Sequence, residues 1–508
     1  MNLKFFFGKS GRRIFSAGAF CIFLIPVMLL SSFGVSAKNV TYDDIPYKNY
    51  TYWTEGGNKR AVETKAVYEP LTAVSLSEFG DSGKMQLEYV CRDSKGNINV
   101  LDSGNGAIYV FDSEYNYVCT VNSVDANGEK LSFTGAKGIC YDDNDTLYIS
   151  DTQNQRVICR LADNSVKILT KPESDIIPDG FSFAPLLAVR DNNGFLYILC
   201  EGSYYGLMVL SSEDEFIGFF GATQVQKSVL GAITDLITSA FETKEKHEAS
   251  VKKLPYQIED ITVSTGGFIT AVTSESKGQI RMFSPSGSNI LRAKNQFSYT
   301  GGDDYNFADN PNSFVLATAK YGLLSYEKFA GDTSDNNGYI YALDATVGRI
   351  FMYDEYCNLI SIFGGGISQG SQLGTFYTPV SIASVGDDLA VVDFINKNLT
   401  VFRLTDFGRK LKSAQQLTNE GQYSEAEPLW REILAKDKNC QLAYIGLAKA
   451  ELEIGNYSAA MKYAKIGLDQ KTYSQAYKFV RNQFISENFK WLALIAVLVI
   501  VLLFAVKR

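Results

Sequence analysis

A step of 49 residues runs through this chain. Asp102 closes Asn-Val-Leu-Asp, Asp151 closes Tyr-Ile-Ser-Asp 49 residues later, and Cys200 falls at the next step. Further on, Asp344 closes Tyr-Ala-Leu-Asp and Asp393, again 49 residues later, closes Ala-Val-Val-Asp. Inside each copy an apolar run turns at acidic, Asn or Gly residues and returns as a second apolar run. Tyr89 to Asp93, Ser94-Lys95-Gly96-Asn97 and Ile98 to Asp102 form the first such pair. Turn residues between short apolar runs mark hairpins. A hairpin-rich unit of 40–50 residues is the period of a propeller blade. Such a fold is a binding platform first, so function has to be argued from particular positions on it.

A second element follows each aspartate. Asn105, Asn154 and Asn396 lie three residues on, and Ile108, Val157, Ile350 and Leu399 lie six on. An Asx residue there suits a tight turn before a third strand. Six units start near Tyr89, Ile139, Leu187, Ile261, Phe314 and Ile382. The last supplies three strands, ending at Leu404. Its outer strand is expected from the N-terminal side, around Leu71 to Gly80, because closure removes exposed sheet edges. The aspartates are read as structural.

Asp151-Thr-Gln-Asn-Gln-Arg156-Val157 resembles the aspartate–asparagine–arginine–aliphatic core of NHL repeats. The run from Phe363-Gly364-Gly365-Gly366 through Gly370, Gly374, Phe376 and Pro379 to Ile382-Ala383 resembles their linker. Blade four departs most, with Thr273 where the aspartate belongs. This resemblance, to bacterial-type proteins, covers residues 76–404 and implies a six-bladed, mainly β propeller. Among six-bladed propellers, the gluconolactonase type holds a divalent metal in its channel with Glu, Asn and Asp. The matching positions are Glu88, Lys137, Leu186, Glu259 and Asn312, with Asp260 beside Glu259. Such a mixed acid–amide–lysine ring suits a hard cation or a polar ligand. A divalent cation is therefore the one cofactor considered; otherwise none is expected.

The ends of the chain differ from its middle. Lys4, Lys9, Arg12 and Arg13 precede an apolar stretch from Ile14 to Leu30 and then Val35-Ser36-Ala37, the order of a signal peptide over residues 1–37. Residues 38–75 read as an arm carrying the closing strand. At the other end Trp491 to Val506 is apolar throughout. Its sixteen residues reach about 24 Å at 1.5 Å each. Phe489 and the stems of Lys490, Lys507 and Arg508 extend a span over 489–508. Basic residues after it predict a cytoplasmic C-terminus, which puts the propeller outside the cell membrane on a single-pass anchor.

Removing the leader takes four positive charges and no acids, so the formal charge moves from −8 to −12 (−8 − 4). That argues against nucleic acid as a partner. Seven cysteines remain, an odd number placed in apolar runs, which reads as buried thiols; a Cys91–Cys119 bridge is the alternative.

From Phe407 the pattern turns helical. Ala414, Gly421, Tyr423, Ser424 and Ala426 recur 34 residues later as Ala448, Gly455, Tyr457, Ser458 and Ala460. This resembles tetratricopeptide repeats over 405–488 and implies either a rigid stalk or a groove for a peptide. A further helix, about Tyr473 to Glu487, runs almost directly into the span.

Chemistry is sparse. His247 is the only histidine, which excludes multi-histidine zinc sites and propeller lyases built on clustered histidines. No P-loop, GxSxG or HExxH motif is present. Two insertions break the 49-residue step, and long loops on a regular scaffold tend to carry function. The first, 222–254, spaces Val229, Ile233, Leu236, Ile237 and Phe241 as on one helix face, suited to capping, partner docking or a membrane surface. The second, 300–337, offers Asp303, Asp304, Tyr305 and Phe307 for sugar or peptide ligands. The sequence thus favours a non-enzymatic scaffold or sensor that binds a protein or saccharide beside a membrane transport or envelope complex. A metal-dependent lactonase or esterase-like hydrolase in the channel is the alternative.

Overall fold

The structure is a computed structural model that describes residues 45–55, 58–202, 205–221, 257–263, 268–273, 279–283, 289, 291, 323–328, 338–345, 347–354, 358–366 and 372–506. Three N-terminal strands come first: β1 (Tyr50–Glu55), β2 (Asn58–Glu63) and β3 (Tyr68–Ser75). Blade one is β4 (Leu87–Arg92), β5 (Ile98–Asp102), β6 (Ala107–Phe111) and β7 (Tyr117–Val121). A small hairpin, β8 (Val124–Ala126) and β9 (Glu129–Leu131), leads to blade two. That blade is β10 (Gly138–Tyr141), β11 (Leu147–Asp151), β12 (Arg156–Arg160) and β13 (Val166–Leu169).

Blade three follows as β14 (Pro185–Arg190), β15 (Leu196–Cys200), β16 (Leu207–Leu210) and β17 (Phe216–Phe220). The described strands of blade four are β18 (Ile258–Val263), β19 (Ile269–Thr273) and β20 (Ile280–Phe283). Blade five holds β21 (Leu323–Lys328), β22 (Gly338–Asp344), β23 (Arg349–Tyr353) and β24 (Leu359–Phe363). Blade six holds β25 (Pro379–Val385), β26 (Asp388–Asp393) and β27 (Asn398–Leu404). The inner strands β4, β10, β14, β18, β21 and β25 contact one another in that order, and β25 returns to β4. The result is a closed six-bladed propeller.

Hydrophobic alternation explains the packing. The second and third strands of each blade are buried on both faces, as in the fully buried β5 and β6. Their side chains fill the layers between neighbouring blades, such as Leu101, Ile108, Ile149 and Ile158 between blades one and two. The ring is closed by the chain's own N-terminal side. β3 takes the outer position of blade six and pairs with β27 from Ser75–Asn398 to Tyr68–Leu404.

Two features were not anticipated from sequence. β21 falls inside 300–337, the span expected to be an inserted loop, and it serves as the inner strand of blade five. The expected start of that unit, Phe314, lies outside the described residues. The run of small and polar residues from Ala330 to Gly338 hides the strand from a periodicity reading. Further, β1 and β2 form a hairpin that extends blade five beyond β24, with Tyr50 opposite Ile362.

The helical region comprises α1 (Asp406–Asn419), α2 (Tyr423–Lys436), α3 (Gln441–Glu453), α4 (Tyr457–Ile466) and α5 (Gln470–Val506). Thr405 caps α1 by accepting from Gly408 N at 2.9 Å. Gly421 and Gly455, 34 residues apart, both take φ +79°, the left-handed turn that ends an α-helix before the next begins. Trp430 is fully buried and packs where only Gly446 fits, since a Cβ there would meet its ring at 2.1 Å.

The repeats are tied to the propeller at several points. Lys412 of α1 is buried, its ammonium 5.1–5.7 Å from the rings of Tyr68, Tyr339 and Tyr341. Trp53 of the N-terminal hairpin donates to Asn439 O at 3.0 Å and packs edge-on against Tyr444. Asp437 accepts from Lys65 N at 2.9 Å, and Asn439 Nδ2 donates to Glu63 O at 2.9 Å. α5 is one unbroken helix of 37 residues whose second half is long and apolar enough to cross a membrane.

Candidate functional site

Strand register gives the propeller two unlike ends. Leu87, at the start of β4, pairs with Asp102, and Asp102 pairs with Ala107. Pro379, Asp393 and Asn398 line up the same way in blade six. The repeat aspartates therefore share one end, the mouth, with the starts of the inner strands. The hairpin turns around Asp93, Asp142, Asp191 and Asp354 share the other end.

The aspartates prove to be the organising residues of the mouth loops. Asp102 is fully buried and accepts from Gln86 N, Gly104 N and Asn105 N at 2.9, 3.1 and 3.2 Å, from Asn105 Nδ2 at 2.6 Å and from Tyr109 Oη at 2.8 Å. Asp393 accepts from Tyr377 N, Asn396 N and Asn396 Nδ2 at 2.5, 3.0 and 3.1 Å. Asp151 takes both Asn154 Nδ2, at 2.9 Å, and Arg156 Nε, at 2.8 Å. The asparagine three residues on thus bonds the aspartate itself, and not only the turn backbone. With five donors on its two oxygens the Asp102 carboxylate is saturated, and no lone pair is left there for a substrate.

Of the channel candidates, Glu88 and Lys137 come together. They form a partly buried ion pair across blades one and two, and Ser103 Oγ donates to Glu88 Oε1 at 3.0 Å. Asp260 is buried and lies deeper. It accepts from Tyr89 Oη at 3.1 Å, and because blades one and four stand opposite each other in a ring of six, this bond crosses the channel. Burial, then the nearby Asp260 carboxylate, pushes the Tyr89 hydroxyl well above its ordinary value, so it stays a donor. Glu259 is half-buried beside it. The mouth thus carries an acid–lysine–hydroxyl group, with a tyrosine bridging the channel beneath it.

Tyr89 and Ser103 were not singled out from sequence. Placing the inner strands in register would have found Tyr89, since it and Asp260 occupy equivalent positions opposite Leu101 and Val272. Asn312, Asp303, Asp304, Tyr305, Phe307, His247 and the run Val229, Ile233, Leu236, Ile237 and Phe241 lie outside the described residues, as does the leader. The first of these connections starts and ends at the mouth, where β17 finishes at Phe220 and β18 begins, and the second ends there at the start of β21.

A divalent cation of the gluconolactonase type does not fit the described residues. Glu88 is already neutralised by Lys137, and Asp260 is engaged by Tyr89. Among the described residues no three His, Cys, Asp or Glu side chains come together as a cation site. The described cysteines Cys91, Cys119, Cys140, Cys159, Cys200 and Cys440 are free thiols.

Residues 417–479 match the family model for the tetratricopeptide repeat. No curated protein matches the sequence. Among solved structures, a virginiamycin B lyase from Staphylococcus aureus is similar at 9% identity and a TM-score of 0.39, over 66% of this chain and 100% of the lyase. A gluconolactonase from Xanthomonas campestris is similar at 10% identity and a TM-score of 0.39, over 66% and 89%. An auxiliary nutrient binding protein from Bacteroides ovatus is similar at 11% identity and a TM-score of 0.40, over 70% and 76%. The ring of six inner strands and the matched repeats together make this chain a six-bladed β-propeller followed by a tetratricopeptide repeat region and one long apolar helix.

Proposed function

We propose that this protein is a non-enzymatic, membrane-anchored scaffold or sensor that binds a protein or saccharide ligand at the propeller mouth, outside the cell membrane. The observation that carries this reading is the polarity of the fold. Leu404, the start of α1, Asp354 and Asp387 all lie at the turn end, and there Gln415 meets Asp354 and Arg409 meets Asp387. The helical repeats are therefore attached opposite the mouth.

The helices then lead away. Gln441 at the start of α3 bonds Gly467 O at 2.9 Å, which sets the start of α5 near the propeller-tied side of the repeats. Phe479 of α5 stacks on Tyr457 at 4.7 Å, at the opposite side, and from there the helix continues towards Val506. With α5 in a bilayer and its basic end in the cytoplasm, the mouth faces outward, away from the lipid. A ligand or partner there would meet Lys137, Glu88 and Glu259, flanked by both long connections. This placement supports a role beside a membrane transport or envelope complex.

The test is crosslinking and pull-down from native membranes with the intact chain and a Lys137→Glu variant. A reproducible ligand or partner lost in the variant is expected, together with protease accessibility of the propeller from outside intact cells. Stoichiometric divalent metal in the purified protein, lost in a Glu88→Gln/Glu259→Gln variant, would instead sink the binding-only reading.

A further inference from the structure

Two neighbouring seams between blades share one device, and the next seam lacks it. At each of the two, the last residue of the inner strand reaches back to the preceding blade. Between blades one and two, Tyr141 Oη donates to Asn99 Oδ1 at 3.3 Å. Between blades two and three, Arg190 Nε donates to Tyr148 Oη at 2.7 Å, with the guanidinium carbon 5.7 Å from that ring. Tyr148 in turn donates to Asp142 Oδ2 at 3.0 Å, and Arg190 also meets Gly194 O at 2.6 Å and Asp214.

Asp142 and Tyr148 recur 49 residues later as Asp191 and Tyr197, and Tyr197 Oη donates to Asp191 Oδ2 at 3.3 Å. The guanidinium does not recur. Arg190 pairs with Leu196 at the end of its inner strand, and the equivalent residue in blade four, paired with Ile269, is Val263. Lys167, in register with Tyr148 through Cys159, is replaced by Gly218, in register with Tyr197 through Val209. No heavy atom lies within 4 Å of where a Gly218 Cβ would sit. In this place the structure has a cavity of about 270 Å³ lined by Asp191, Tyr197, Val209, Gly218, Phe219 and Phe220. Asp191 is only 6% exposed, and no described residue donates to the Tyr197 oxygen.

We propose that this cavity is a guanidinium-binding site, taking from outside the group that Arg190 supplies internally one blade earlier. A guanidinium is flat and weakly hydrated, stacks on aromatic faces, and donates several in-plane N–H groups. Here it would lie along Tyr197 and Phe220, donate to Tyr197 Oη, and be balanced by Asp191 behind that hydroxyl. Exposed Phe195 and Ile217 at the rim would hold the alkyl stem. The chain's net charge of −8 favours a cationic ligand. Asp191 belongs to a turn at the end opposite the mouth, so this site stands apart from the function proposed above.

The experiment is calorimetric titration of the full chain in detergent with N-acetyl-arginine methylamide, its neutral citrulline counterpart and an arginine-bearing pentapeptide. The guanidinium probe is expected to bind saturably, at least tenfold tighter than the citrulline probe. Val263→Arg, which restores the internal guanidinium, should abolish binding, and Tyr197→Phe should weaken it several-fold with the fold intact by circular dichroism. A pentapeptide tighter than the single residue points to an arginine of a partner protein, and equal affinities point to a small guanidino compound; either supports the site. Absence of saturable binding, equal binding of the citrulline probe, or unchanged binding in a folded Tyr197→Phe protein would overturn it.

Discussion

Asp151 is the clearest case of a residue whose chemistry is spent on architecture. Its carboxylate is fully buried and holds both Asn154 and Arg156. Removing the charge leaves Arg156 without its partner in a largely buried site, which costs about 3–5 kcal/mol. Asp151→Asn should therefore lower the urea midpoint without changing what the mouth binds, which unfolding curves and a binding assay would separate. The thiols make a second prediction. Burial pushes Cys140, Cys159, Cys200 and Cys440 up to about 12, while Cys119 is exposed. Thiolate is the reactive form, so among the described cysteines only Cys119 should be alkylated at pH 8 in the native protein, with the others reacting after denaturation. Mass spectrometry of the labelled protein checks this. The same groups make stability fall in alkali. Between the ordinary thiol value of 9.0 and about 12 the folded state keeps protons that the unfolded state has lost, so stability declines as pH rises through that window.

At the scale of elements, the joint between propeller and repeats decides whether the repeats act as a hinge or a strut. Lys412 sits among three tyrosines and Trp53 bridges the N-terminal hairpin to α3, so the two parts share one core that runs from Tyr68 and Phe363 to Trp430 and Leu447. A desolvated cation over aromatic rings contributes about 2 kcal/mol or more. Lys412→Ala combined with Trp53→Ala should split one calorimetric transition into two, the helical part melting first; a single unshifted transition would show that the joint carries little. The sharing of a core also bears on the repeats as a peptide groove. Gln415 of α1 and Asn358 of the propeller line the same small recess as Leu442 and Gly446, so part of the helical surface already has an occupant.

For the molecule as a whole, α5 is the test of attachment. Truncation before Trp491 should move the protein from the membrane to the soluble fraction with its thermal transition unchanged, because no described residue after Ala476 is buried by the rest of the chain. How far all this was legible in the sequence depends on how each feature is encoded. Asp102, Asp151, Asp344 and Asp393 recur because four of the six blades use the same buried acceptor at the same turn, so a period reveals them and with them the propeller. The 34-residue recurrence around Gly421 and Gly455 is visible for the same reason. Tyr89 and Asp260 are single residues on opposite blades, and only closure of the ring brings them together. The hairpin of β1 and β2 repeats nothing, and β21 is a short strand among polar residues, so neither leaves a periodic trace. The mouth was legible in part, as Glu88 and Lys137, because both precede inner strands one period apart.

The pairing of β3 with β27 also sets an order in time. Tyr68 and Leu404, partners in blade six, are 336 residues apart (404 − 68), so a strand made before any of the blades has to wait for the last strand of the propeller. Contacts this distant are slow to form, and until they form a three-stranded blade and a bare strand present open edges. The ring therefore completes only after the whole propeller has been synthesised, so a chain stalled midway stays recognisably unfinished to proteases and chaperones.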